Sequence, residues 1–210
     1  MSISLGIFDV FANAIPGLLY LFVFNEIAKM FAVTSIDWTS INTIGQTILV
    51  VLAAYVVGHI MDFISYRLWF RLFYRRSYEE RAYQAFTNVY PELRSKFDPK
   101  QTPMMLSIIR YNKPELTTEI ERKKVTCVML RNISFAFIIL FAIELFLAFQ
   151  NGFSITHFIT GIGALIGSYA SLRRADHFNM RYFAQIYQYS IIEGDSLASI
   201  LKKRKRSREK

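Results

Sequence analysis

ISFAFIILFAIELFLAF, residues 133–149, is apolar except for Ser134 and Glu144. Asn151-Gly152 then supplies a turn, and ITHFITGIGALIGSYASL, residues 155–172, makes a second apolar pass that stops at Arg173-Arg174. A bilayer core ~30 Å thick needs about 20 apolar helical residues, so each run is about long enough to span. The alternative is a buried helical hairpin in a soluble domain. Arginines confined to the inner ends of both runs favour the membrane.

Two further spans are expected upstream. In the first, Pro16 suits the opening turn of a helix, where its missing N–H costs nothing. The reading is therefore an interfacial stretch from Phe8 to Ala14 and a span from Ile15 to Val33. Residues Thr34 to Asn42 form a short loop without Lys or Arg. A second span follows from Thr43 to Ile64, with His59 and Asp62 near its far end. Helical pattern continues through Tyr66 to Arg76, where aromatics alternate with Arg67, Arg71, Arg75 and Arg76. Such a stretch suits the headgroup zone, rings buried and guanidinium groups on phosphates.

Composition agrees. The chain is 53% hydrophobic yet carries a formal net charge of +9, so apolar and basic residues must be segregated. The single Cys127 rules out an intramolecular disulfide framework. The first segment lacks a basic n-region and a small-residue cleavage site, so it is expected to persist as a span.

Ser77 to Lys124 reads as a helical insert: Tyr78–Val89 ahead of Pro91, Thr102–Tyr111, and a third helix opened by Pro114. No Gly or Pro interrupts that third helix before Phe149, so one rod of about 54 Å is expected. After Arg174 an aromatic-rich helix continues to Tyr189, and a basic tail carries Lys202, Lys203 and Arg204. Lys29 is the sole Lys or Arg before Arg67, and none lies between Arg131 and Arg173. The positive-inside rule then places both termini and the insert in the cytoplasm. The expected fold is all-α: a four-transmembrane-helix bundle with a cytoplasmic helical insert and a C-terminal amphipathic helix. Its parts are a first hairpin (1–66), the insert (67–131), a second hairpin (132–174) and a cytoplasmic helix with basic tail (175–210). The location is a multi-pass inner-membrane one.

No catalytic signature is present: no Gly-rich phosphate loop, no zinc-protease motif, no Cys pair and no nucleophile elbow. His59, His157 and His177 sit on separate segments without metal spacing, so neither a metal nor a cofactor is expected. Two intramembrane features remain. Glu26 and Lys29 share a face of the first span. Glu144 lies about 8 Å below the end of the third span, and Glu26 about 10 Å below the end of the first. These charges are expected either to lock the bundle as ion pairs or to line a water path, since isolated charges in hydrocarbon are costly. The second feature is Gly163, Gly167 and Ser171, spaced to let another helix approach, in this chain or another copy.

The basic surface, Arg67 to Arg76 with Arg173, Arg174 and the tail, is explained largely by orientation and anionic lipid. Its interleaved aromatics also fit nucleic acid or a nucleotide-derived ligand. Phe8-Asp9-Val10-Phe11 followed by Ile15-Pro16-Gly17 resembles a recurring start of small bacterial polytopic membrane proteins, many of them linked to anti-phage defence, and the four-span layout with a cytoplasmic helical insert is similar to that of the membrane subunits of the Kiwa defence system. The resemblance covers about ten residues and otherwise rests on architecture. It implies a membrane-embedded homo-oligomer that recruits a soluble, nucleic-acid-binding partner, and no catalytic residues. Locally, Asp9 near a helix start favours the dipole. The leading function is thus a non-enzymatic, oligomeric scaffold or effector with a soluble cytoplasmic partner. The competing one is a small ion channel or transporter using Glu26, Lys29 and Glu144. A lipid-processing enzyme is disfavoured by the lack of clustered His and Asp.

Overall fold

The computed structural model describes residues 3–31, 36–73, 78–91, 99–152 and 154–192. All regular structure among them is helical: α1 (Ile3–Met30), α2 (Ile44–Phe73), α3 (Tyr78–Val89), α4 (Thr102–Asn112), α5 (Pro114–Asn151) and α6 (Ile155–Ile192), with short 3-10 turns at Trp38–Ser40 and Pro99–Gln101. Four of these helices are long and apolar enough to cross a membrane: α1, α2, α5 and α6. Single unbroken helices from Pro114 and from Ile155 follow from the absence of any internal proline.

One expectation is corrected. Pro16 does not open a helix but lies inside α1, and the stretch before it is helical from Ile3. In a membrane span a proline is tolerated where neighbouring helices pack over the altered backbone. Pro16 is fully buried and is followed by Gly17, the tightest point of the α1–α2 crossing.

The chain forms two compact units. The first comprises residues 1–74 and 125–176, the second residues 75–124 and 177–210. In the first, α1 packs along α2. A Cβ placed on Gly17 would overlap the carbonyl of Ala54, and one on Gly58 would overlap that of Asn13. Only hydrogen fits at either position. Tyr20, Met61 and Ala136 form a small apolar centre beside this contact. At the α5–α6 turn, Gly152 adopts φ 84°, the left-handed conformation that closes helices.

The second unit is built from α3, α4, the beginning of α5 and the end of α6. Its core holds Phe86, Met105, Ile109, Ile120, Tyr182 and Tyr187 among others. The Tyr187 ring lies 5.3 Å from that of Phe86 and meets Tyr83 edge-on at 6.0 Å. Its hydroxyl is satisfied by Thr102 Oγ1 at 3.1 Å, as a buried phenol requires. Glu79 and Glu80 in the first turn of α3 complement the helix dipole.

Candidate functional site

Polar chemistry in the membrane-spanning unit gathers at two places. The first joins α1, α2 and α5. Arg131 donates to Asp62 Oδ1 at 2.5 Å, and Asn132 Nδ2 donates to the same oxygen at 2.9 Å. Ser65 donates to Asn132 Oδ1 and to the Asp62 carbonyl, while the Tyr20 hydroxyl donates to the Asn132 carbonyl at 2.9 Å. The Arg131 guanidinium also lies 5.0 Å from the centre of the Tyr66 ring. Ser65 and Asn132 are completely buried. In low dielectric such a network is strong only when its members are paired, and here Asp62 accepts from two donors at once.

Further along α5, Ser134 donates to the Ser168 carbonyl at 2.9 Å and meets its hydroxyl at 3.0 Å. The buried small face of α6 is therefore Gly161, Ala164 and Ser168. Gly167 packs on the Phe137 ring, Ser171 is half-buried, and the Cβ direction of Gly163 opens on free space.

The second polar place is at the α5–α6 turn. Glu144 accepts from His157 Nδ1 at 2.7 Å, and both line a groove of about 480 Å³ whose walls include Phe141, Leu145, Phe158 and Ile162. Glu26 pairs with Lys29 on α1 at 2.8 Å. Among the described residues no ion pair links Glu144 to Glu26 or Lys29. The structure thus brings together Glu26 with Lys29, and Glu144 with His157, as separate pairs.

Of the basic residues, Arg67, Arg173 and Arg174 are exposed, and Arg173 lies 5.8 Å from the Tyr169 ring. Arg71 belongs to α2. Arg75, Arg76, Lys202, Lys203 and Arg204 lie outside the described residues.

In the second unit, Lys123 donates to Glu119 and to Gln185, each at 2.7 Å, and Gln185 donates to Glu119 at 3.2 Å. The hydrogen bond from Lys123, then that from Gln185, holds the Glu119 carboxyl below its ordinary value. Arg110 pairs with Glu121. A second groove, of about 270 Å³, lies between α3 and the end of α6, lined by Phe86, Val89, Tyr90, His177 and Arg181 among others. In the 36–42 loop, hydrogen bonds from Thr39 keep the Asp37 carboxyl below its ordinary value.

Two of these features were not read from the sequence. The Asp62–Arg131 pair spans 69 positions. Its signal was one acid near the end of α2 and one base just before the apolar run of α5, both at the basic end of their spans. His157 had a clearer signal, since it and Glu144 stand at comparable distances on either side of Asn151-Gly152.

Four apolar helices with polar residues buried between them define a multi-pass helical membrane protein. No protein-family model matches the chain, and no characterised protein or solved structure matches it.

Proposed function

We propose that the chain is a non-enzymatic, oligomeric scaffold or effector of the bacterial inner membrane, serving anti-phage defence, whose helical unit binds a soluble cytoplasmic partner. The observation that carries this reading is the second unit itself. It has its own aromatic core, yet leaves apolar groups uncovered: Tyr111 is 89% exposed and Val89 68%. Val89 and Tyr90 line a groove edged by Arg181, and exposed apolar and aromatic groups beside an arginine are the composition of a protein-binding surface. The defence assignment rests on the N-terminal resemblance. Glu26 pairs with Lys29 within α1 and Glu144 with His157 across the α5–α6 turn, and this separate pairing favours structural roles over a continuous conduit, because each carboxylate already has its partner.

Purification of the full chain together with each soluble product of its neighbouring genes tests the reading. A stable complex containing several copies of the chain is expected, and Val89→Glu should dissociate the partner without changing the copy number. A monomer that binds none of these products would overturn it. Reporter fusions at Glu121 should read as cytoplasmic and those between Thr34 and Asn42 as external. An external reading at Glu121 removes the orientation on which partner binding depends.

A further inference from the structure

Among the described residues of the helical unit one cation is left unused, and it stands at the groove between α3 and α6. Arg110 pairs with Glu121, Lys123 pairs with Glu119, and Lys124 lies 5.9 Å from the centre of the Tyr182 ring. Arg81, Lys100, Lys113 and Arg122 are engaged as well. Arg181 is exposed, lines the groove, and makes no ion pair, hydrogen bond or ring contact with any described residue. Its guanidinium is always charged and presents a planar fork of donors that matches a carboxylate or a phosphate. The described lining contains no acid, so nothing in the groove offsets that charge.

The shape of the groove limits what can bring the anion. Its walls come from residues 82–90 of α3 and 177–188 of α6, about 12 Å and about 16 Å of helix. Ala82, Ala85 and Ala184 line it with methyl groups, so a third backbone can come close, and Val89 and Tyr90 add exposed apolar surface beside them. Its volume of about 270 Å³ lies below the ~300–1,000 Å³ of small-molecule sites, which suits side chains of a larger body lying across it. A nucleic acid gains its affinity from several phosphates held by several cations, whereas here one free cation stands beside apolar walls. Small residues between two helices, with apolar surface and a single charge at the edge, are the setting in which an amphipathic helix docks by its apolar face.

We infer that the α3–α6 groove receives a short amphipathic helix of the soluble partner, about two to three turns long. That helix lays apolar side chains against Val89, Tyr90 and the three alanines, and sets an Asp or Glu carboxylate on Arg181. The inference rests on the partner reading above and specifies the chemistry of its contact. It is independent of the defence assignment.

The test uses the complex of the full chain with whichever soluble neighbouring-gene product co-purifies with it. Arg181→Glu should weaken that complex at least about tenfold, the loss expected of an arginine anchor in an interface. Lys100→Glu changes the net charge by the same amount outside the groove lining, and should leave the affinity within about twofold because a distant charge is screened. Arg181→Lys keeps the charge and supplies an amine, so a carbodiimide should join it to the carboxylate it meets. Peptide mapping of the adduct should return an Asp or Glu of the partner, in a segment with apolar residues three and four apart. Replacing that acid by Lys should restore binding to the Arg181→Glu protein. If no product forms a complex, the partner reading falls and this inference falls with it. A complex that Arg181→Glu leaves intact overturns this inference alone. Equal weakening by Lys100→Glu would show attraction by net charge and overturn it too. Should Arg181→Glu not fold, the adduct decides: coupling to a second copy of this chain, or no coupling within an intact complex, overturns the inference.

Discussion

In the membrane-spanning unit the fully buried side chains include Ser65, Asn132 and Ser134, while Ile44, Phe63 and Ile159 are 83%, 66% and 64% exposed. In the helical unit the fully buried side chains are mainly large and apolar: Met105, Ile109, Ile120, Ile186 and the Tyr187 ring. Water drives apolar side chains together, so the helical unit is held by an aromatic and aliphatic core. Lipid tails are as apolar as leucine and give no such drive. The spans must hold by close backbone approach and by hydrogen bonds between helices. Gly17 against Ala54, Gly58 against Asn13 and the Asp62–Arg131–Asn132 network are those two devices.

The largest expected effect lies where the backbones touch. Gly17→Leu or Gly58→Leu places a side chain where a carbonyl now lies, and helix separation is the only relief. Either should cost more than about 4 kcal/mol and abolish recovery of folded protein in detergent. Gly163→Leu projects into open space and should leave the melting temperature of the isolated chain unchanged. If all three behave alike, close approach is not what holds the spans.

Next come the cores. Phe86→Ala in the helical unit removes a buried ring and should destabilise that unit by about 3–5 kcal/mol. Phe63→Ala on the lipid-facing side of α2 removes a ring of the same size and should alter thermal stability by less than about 0.5 kcal/mol. Comparable losses at both positions would show that Phe63 is covered by protein, as between copies.

The network on α2 and α5 follows. Asp62→Leu leaves Arg131 and the Asn132 amide without their acceptor, at a cost of about 2–3 kcal/mol for a partly exposed pair. Asp62→Leu with Arg131→Met should recover most of it, since a partly buried charge is stabilising only when it is paired. Failure of the double variant to recover stability would mean that Asn132, rather than the ion pair, carries the junction.

The spans and the insert helices were legible because their signals are local: unbroken apolar runs, Pro91 behind α3 and Pro114 ahead of α5. Contacts between segments were less so. A Gly-x-x-x-Gly spacing points to Gly163 and Gly167, whereas the tight crossing uses one glycine from each of two helices and has no repeat to announce it. Charges were matched by depth across α1 and α5, yet each carboxylate found its partner nearer in sequence, Lys29 three residues away and His157 across a single turn. Proline inside α1 was misread because the rule that places it at helix starts assumes water around the broken bond, and Pro16 is buried.

The smallest effect tests the comparison from its electrostatic side. Glu119 and Lys123 pair on the surface of the helical unit, where the Glu119 carboxylate is 53% exposed, whereas the Asp62 carboxylate beside Arg131 is 31% exposed. Ions reach the first carboxylate more freely than the second. Because hydrogen bonds from Lys123 and Gln185 depress the Glu119 carboxyl in the folded state, its contribution is present above the ordinary glutamate value of about 4.3 and is lost as pH falls through the depressed value. Glu119→Gln should therefore cost about 0.3 kcal/mol at neutral pH, nothing in strong acid, and less as salt rises. The Asp62 variant should lose a smaller share of its cost at about 1 M salt, since a partly buried pair is screened less than an exposed one. The check is a set of thermal melts of the two variants at low and high ionic strength. A loss at Asp62 as salt-sensitive as that at Glu119 would show that ions reach both pairs equally, and would break the electrostatic side of the comparison.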